Sequence, residues 1–145
     1  GSGGTLAGLH AGTQVFEQPW RIHGVTVCDD ADYFRGEAQA IFRGLKDNYL
    51  PDLNVSVEDL SYVEGFKGRG YGRSDRILRQ QLVALARECA LVLDPVYTMK
   101  AWQGLEHLVQ EGVVKADERV LFIHTGGTNG LLGHGRQFRP EDFES

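Results

Sequence analysis

Four short stretches of this sequence combine small residues, hydroxyls and aromatics in arrangements that chemistry can use. The first is Gly1-Ser2-Gly3-Gly4-Thr5. Glycines let backbone amides approach a phosphate closely, and the N-terminus of a following helix adds partial positive charge. Thr5 adds a hydroxyl donor. The same composition also suits a linker or a plain tight turn, and the residues alone leave both readings open. The second is Asp94-Pro95-Val96-Tyr97-Thr98, which reads either as a helix start capped by Thr98 or as a site carrying a phenol and a hydroxyl. The third is His124-Thr125-Gly126-Gly127-Thr128, directly after an apolar run. It is either a strand-to-helix turn or a ligand-binding one. The fourth is Tyr71, set between Gly70 and Gly72. Such an aromatic is either an exposed loop residue or one delivered into a site.

Several familiar chemistries are missing from these patterns. No lysine follows the first glycine turn, so it is not the nucleotide loop GxxxxGK[ST]. No GxGxxG is followed by an acidic ribose partner in a complete βαβ unit. The histidines (His10, His23, His107, His124 and His134) show no HExxH or paired-ligand spacing, which gives no metal site. There is no GxSxG elbow. The lysines are Lys46, Lys67, Lys100 and Lys115. A Schiff-base lysine should be desolvated in a pocket. Lys46 and Lys115 lie in polar contexts. Lys100, near Thr98, can face either a site or solvent. Lys67, Arg69, Arg73 and Arg76 form the nearest thing to a basic cluster, read as a solvated loop.

Hydrophobic periodicity supplies the elements that must position these stretches. Leu6, Leu9, Thr13 and Phe16 recur at helical spacing and predict a helix over residues 5–16. Arg21 to Cys28 reads as a buried strand. Asp29, Asp30 and Asp32 offer caps for a helix through Phe34, Ala38, Ile41 and Leu45. Residues 51–74 hold short strand-like pieces and then a glycine-rich loop, of the kind that carries function when a scaffold holds it. Leu78, Leu82, Leu85 and Cys89 predict a helix after Asp75. Another runs from Tyr97 to Glu111, with Ala101, Leu105 and Leu108 on its buried face and Gly112 as its stop. Val120 to Ile123 reads as a central parallel strand. The expectation is an α/β fold, an open parallel sheet flanked by helices, with both glycine turns at the carboxyl edge where ligands bind.

The bulk properties are those of one soluble domain. There are 145 residues, 41% hydrophobic and 24% charged, with a formal charge of -5. That charge argues against a nucleic-acid partner, which wants basic residues clustered on one face. No apolar run approaches the roughly 20 residues of a membrane span, and no signal peptide is visible. Cys28 and Cys89 stand far apart and read as buried thiols in a reducing compartment, so the expected location is cytoplasmic.

The motifs in order carry a resemblance. Gly-Ser-Gly-Gly-Thr-x-Ala-Gly-Leu, then Leu93-Asp94-Pro95-Val96-Tyr97-Thr98-x-Lys100-Ala101, then Leu121-Phe122-Ile123-His124-Thr125-Gly126-Gly127-Thr128 together resemble the D-cysteine desulfhydrase / 1-aminocyclopropane-1-carboxylate deaminase family. These are pyridoxal 5'-phosphate enzymes of the tryptophan synthase β-like fold. The resemblance implies the larger domain of such an enzyme, truncated at the N-terminus. It implies a phosphate loop at residues 1–5, an active-site loop at about 64–74, and family motifs at 93–101 and 121–128. Ser2, Gly3, Gly4 and Thr5 would hold the cofactor phosphate, and Thr125 would meet the pyridine nitrogen. Tyr71 and Tyr97 would be catalytic, contacting substrate and shuttling protons. Thr98 stands beside them where the deaminases tend to carry Glu, which favours the desulfhydrase branch. The implied reaction is α,β-elimination of D-cysteine to pyruvate, ammonia and hydrogen sulfide. The alternatives are aminocyclopropane carboxylate deamination or the reaction of another same-fold amino-acid lyase and, from another class, a non-catalytic phosphate- or nucleotide-binding module. Met99 stands where the family usually has Gly, and Asn129 where Pro is common. None of the lysines matches the family's Schiff-base lysine, which lies in the N-terminal half. The resemblance therefore implies a chain that lacks that half, is inactive alone, acts on a small amino acid when complete, and pairs as a homodimer.

Overall fold

A computed structural model describes residues 2–68, 70 and 72–144. The chain divides into two units, residues 1–64 and residues 65–145. The first is built as α1 (Gly4–Val15), β1 (His23–Val25), α2 (Ala31–Asn48) and β2 (Ser61–Val63), with a single 3-10 turn, Val57–Asp59, before β2. The strands pair in parallel, His23 beside Ser61 and Val25 beside Val63, and Thr26 N extends the ladder to Val63 O at 3.0 Å. A parallel pair needs a long crossover, and α2 provides it.

Small residues set how closely α1 approaches its neighbours. Ala7 and Ala11 are buried with Ala38 and Phe42 of α2 and with Leu53 and Leu60. Gly24 in β1 has no side chain to keep Leu6 away: a Cβ there would stand 2.5 Å from Leu6 Cδ2. The predicted stripe of α1 is therefore shifted. Its buried residues are Ala7, Ala11 and Thr13, while Phe16 is 72% exposed. The start of α2 is fixed twice. The Asp30 side chain accepts from Tyr33 N at 2.9 Å, and Glu64, just after β2, accepts from Ala31 N at 3.0 Å. Both bonds satisfy first-turn amides that have no partner inside the helix.

The second unit is helical: α3 (Arg76–Cys89), α4 (Thr98–Gln110) and α5 (Thr128–Gly133), followed by two 3-10 turns. Its core joins Leu78, Leu82, Leu93 and Met99, with Trp102, Phe122 and Phe138 packed against it. The buried residues of α4 are Thr98, Met99, Lys100 and Gly104, not the predicted face of Ala101, Leu105 and Leu108. The expected central strand over residues 120–123 is not formed. The segment is extended, with Leu121 81% exposed and only Phe122 packed inward, edge-on to Trp102. Among the described residues no strand lies beside it, and a lone strand leaves its backbone polar groups to water. The thiols also depart from expectation: Cys28 is half-buried and Cys89 is exposed. Among the described residues no helix is long and apolar enough to cross a membrane.

The C-terminal turn is tied back to α3 by charge. Arg79 Nε meets Asp142 Oδ2 at 2.6 Å and Nη2 meets Oδ1 at 3.3 Å. Asp142 also accepts from Arg139 N at 2.8 Å. The hydrogen bond from Arg79 is the main reason that the Asp142 carboxyl titrates below its ordinary value. A carboxyl whose pKa is lowered on folding adds stability above its unfolded pKa, about 3.9, and loses it as pH falls through the folded value. Asp142→Asn is therefore expected to lower the urea midpoint at pH 7. The variant should also show a smaller further loss than the wild type between pH 4 and pH 2. Parallel pH profiles of the two proteins would refute this.

Candidate cofactor and active site

The residues expected to form a phosphate loop lie in the first unit. Gly3 has φ +72° and precedes α1 as its N-cap residue, a conformation that favours glycine. It also has no side chain with which to cap the helix. The first turn of α1 itself holds no acidic residue, though Glu37 of α2 lies close, its Cβ 3.8 Å from where a Cβ at Gly3 would stand. Ser2 Oγ lies 3.5 Å from Gly4 N, and both Ser2 and Thr5 are exposed. A Cβ at Gly3 would meet Phe34 Cδ1 at 3.4 Å, so α2 backs the turn. The loop thus offers two hydroxyls and the open amides of a twelve-residue helix, a donor set that fits a phosphate.

The other motif residues lie in the second unit, and a buried side chain that sequence reading passed over organises them. Asp94 is 1% exposed. Its Oδ2 accepts from Val96 N at 2.8 Å and Tyr97 N at 2.9 Å. Its Oδ1 accepts from Thr98 N at 2.8 Å and from the Thr98 hydroxyl at 2.7 Å. Thr98 Oγ1 in turn accepts from Asp94 N at 2.8 Å. Thr98 begins α4, but its side chain closes onto Asp94. The signal for this was available: Asp before Pro starts turns because its carboxylate reaches amides two or more residues on.

Asp94 also brings the second and third motifs together. Gly127 has φ +102°, and a Cβ there would stand 2.6 Å from Asp94 Cγ. The Gly126-Gly127 turn therefore lies directly on the carboxylate and enters α5. Thr125, one step before the turn, is exposed and lies outside any helix or strand. His124 braces it: Nε2 lies 3.0 Å from Val92 O and Nδ1 accepts from Gly126 N at 3.2 Å. Those partners assign the proton to Nε2. Tyr97 is half-buried at the entrance to α4, its amide held by Asp94. Tyr71 lies outside the described residues.

Lys100 is also not where periodicity left it. It is 1% exposed, and its Nζ donates to Lys67 O at 2.6 Å and to Gly70 O at 3.4 Å. Its amine is directed at the glycine loop. Among the described residues no group of three or more His, Cys, Asp or Glu could hold a metal ion.

The profile of the family described as pyridoxal-phosphate dependent enzyme matches residues 1–126. This chain belongs to that family. The bifunctional D-cysteine desulfhydrase/1-aminocyclopropane-1-carboxylate deaminase of Arabidopsis thaliana mitochondria is 33% identical over 132 residues, covering 90% of this chain and 31% of its own. A Thermotoga maritima protein named "Putative 1-aminocyclopropane-1-carboxylate deaminase" is 35% identical over 142 residues, covering 94% of this chain and 42% of its own. A crystal structure described as that of an ACC deaminase homologue superposes with a TM-score of 0.80 at 29% identity, covering 94% of this chain and 40% of that one. The chain thus spans well under half the length of these family members.

Asp94→Ala would strand three buried amides and a hydroxyl, at about 3 kcal/mol. Gly127→Ala would combine a strained φ with overlap on the same carboxylate, at about 1–3 kcal/mol. Urea denaturation should find both variants destabilised, and the double variant less so than the sum. Strict additivity would mean that the two positions do not share a contact.

Proposed function

We propose that this chain forms the cofactor-phosphate and substrate-facing part of a pyridoxal 5'-phosphate lyase that takes D-cysteine, with water, to pyruvate, ammonia and hydrogen sulfide. Ser2, Gly3, Gly4 and Thr5 hold the cofactor phosphate, and Thr125 meets the pyridine nitrogen. The exposed hydroxyls and the open helix terminus support the first assignment, and the exposure of Thr125 beside the braced His124 supports the second. When bound, the cofactor supplies an electron sink for negative charge at the substrate Cα. A neutral hydroxyl at Thr125, in place of a carboxylate, leaves the ring nitrogen unprotonated and the sink weaker. Tyr71 and Tyr97 contact substrate and move protons, as phenols can when their neighbours tune them.

The observation that carries the choice of reaction is Thr98. Deaminases of the family tend to carry Glu there. In this chain the Thr98 hydroxyl both donates to and accepts from Asp94, and the residue is 2% exposed. It has no proton to lend to substrate. A thiolate leaves with little acid assistance, since a free cysteine thiol has a pKa of about 8.5. Opening a carbon ring has no such leaving group. The names of the relatives support the second reading, deamination of 1-aminocyclopropane-1-carboxylate to 2-oxobutyrate and ammonia. The complete enzyme is proposed to be a homodimer, as the family resemblance implies, and to be cytoplasmic, as its composition suggests.

The test is turnover by the full-length gene product. Pyruvate from D-cysteine without 2-oxobutyrate from the cyclopropane acid is expected, and the reverse result overturns the choice. Tyr97→Phe should lower kcat by about 100-fold, as for loss of a general acid or base, while cofactor absorbance is retained. Borohydride treatment of this chain with pyridoxal phosphate should leave Lys100 unlabelled, because its Nζ is buried on two carbonyls; labelled Lys100 in a peptide digest would sink that assignment.

A further inference from the structure

Both ends of the turn from His124 to Gly127 are held by one short stretch of chain, and the residue between them keeps an open hydroxyl. At the far end, Gly127 lies against the Asp94 carboxylate, whose Cγ is 2.6 Å from where a Cβ would stand. At the near end, the His124 ring spans two segments. Its Nε2 donates to Val92 O at 3.0 Å, and its Nδ1 accepts from Gly126 N at 3.2 Å. Val92 and Asp94 flank Leu93, which is buried in the core of the unit, so both anchors sit on a fixed support. Thr125 is exposed, and among the described residues its hydroxyl has no hydrogen-bond partner.

The chemistry of the bridge suits histidine. A side-chain acceptor that reaches the amide two residues on closes a local turn, as Asn and Asp commonly do. Nδ1 supplies that acceptor, while Nε2 on the other side of the ring keeps a donor for Val92 O. Asparagine has the first group without the second, and leucine has neither. The bridge also requires the neutral ring, because a proton on Nδ1 would face the Gly126 amide, donor against donor. Gly126 and Gly127, with φ of +105° and +102°, give the turn its path but no stiffness, since glycine has the most conformational freedom to lose.

We infer that His124 is a positioning residue for Thr125, fixing the backbone on either side of it so that the hydroxyl is presented in one place to the cofactor's pyridine nitrogen. This rests on the reading of Thr125 as the residue that meets that nitrogen. His124 touches neither cofactor nor substrate in this role.

The experiment uses the full-length gene product, freed of cofactor and titrated with pyridoxal 5'-phosphate by absorbance, with hydrogen exchange as a second readout. Thr125→Val should raise the cofactor Kd about fivefold, the worth of one neutral hydrogen bond. His124→Leu should raise it by a similar factor, yet add less than about 1.5-fold in a Thr125→Val background, because the group it positions is gone. His124→Asn, which keeps the acceptor for Gly126 N, should fall between wild type and His124→Leu. Exchange of the peptide covering residues 119–130 should speed up about fivefold in His124→Leu, with the peptide from residues 31–48 unchanged. Wild-type cofactor affinity in His124→Leu, when Thr125→Val has weakened it, overturns the inference. Losses that multiply independently in the double variant, or unchanged exchange over residues 119–130, do the same. If His124→Leu does not fold, His124→Asn decides by the same comparisons. If Thr125→Val leaves the Kd unchanged, the reading of Thr125 itself falls, and the positioning role falls with it.

Discussion

The second unit depends on the satisfaction of one buried carboxylate. Asp94 is enclosed, and a buried polar group without partners is costly. Four donors within four residues meet that need: the amides of Val96, Tyr97 and Thr98 and the hydroxyl of Thr98. Meeting it folds the chain from Leu93 into α4 and sets the direction in which Tyr97 and Lys100 leave the backbone. It also requires a glycine turn above it, because only a residue without Cβ can cross so close. The arrangement thus couples a helix start to a loop some thirty residues away, through one side chain.

The first unit solves a different problem by similar means. Its helix α1 begins on a glycine turn with open amides and also packs against α2 and β1. Alanines at 7 and 11 and the bare backbone at Gly24 permit the second. Gly3 permits the first by adopting a left-handed φ without a side chain to fill the opening. Donor groups for a phosphate are cheap to provide when the helix is already anchored by its apolar face.

Much of this was legible in the residues. Strong helical periodicity located α2, α3 and α4 to within a residue or two, and acidic residues marked the caps at Asp30 and Asp75. The ordered motifs named the family. Periodicity failed where burial did not follow size. In α4 the buried positions include a threonine, a lysine and a glycine, because hydrogen bonds and close approach, not apolar area, decide what faces inward there. It failed again at Val120 to Ile123, where an apolar run predicts a strand but cannot supply the neighbour a strand requires. Of the candidate site, the glycines and hydroxyls stand out in the sequence, whereas the depth at which the Asp94 carboxylate is buried does not. The bonds of Asp94 to residues 96–98 follow from its place before a proline, but its contact with Gly127 is one that no local pattern encodes.

The contact between Asp94 and Gly127 restricts how this sequence can drift. A larger residue at 127 demands a smaller one at 94, yet a smaller residue at 94 abandons four donors at once. Neither position has a tolerated first step toward the other's alternative. Among descendants of this chain the pair should be inherited together or replaced together, along with Thr98, and single departures should be rare.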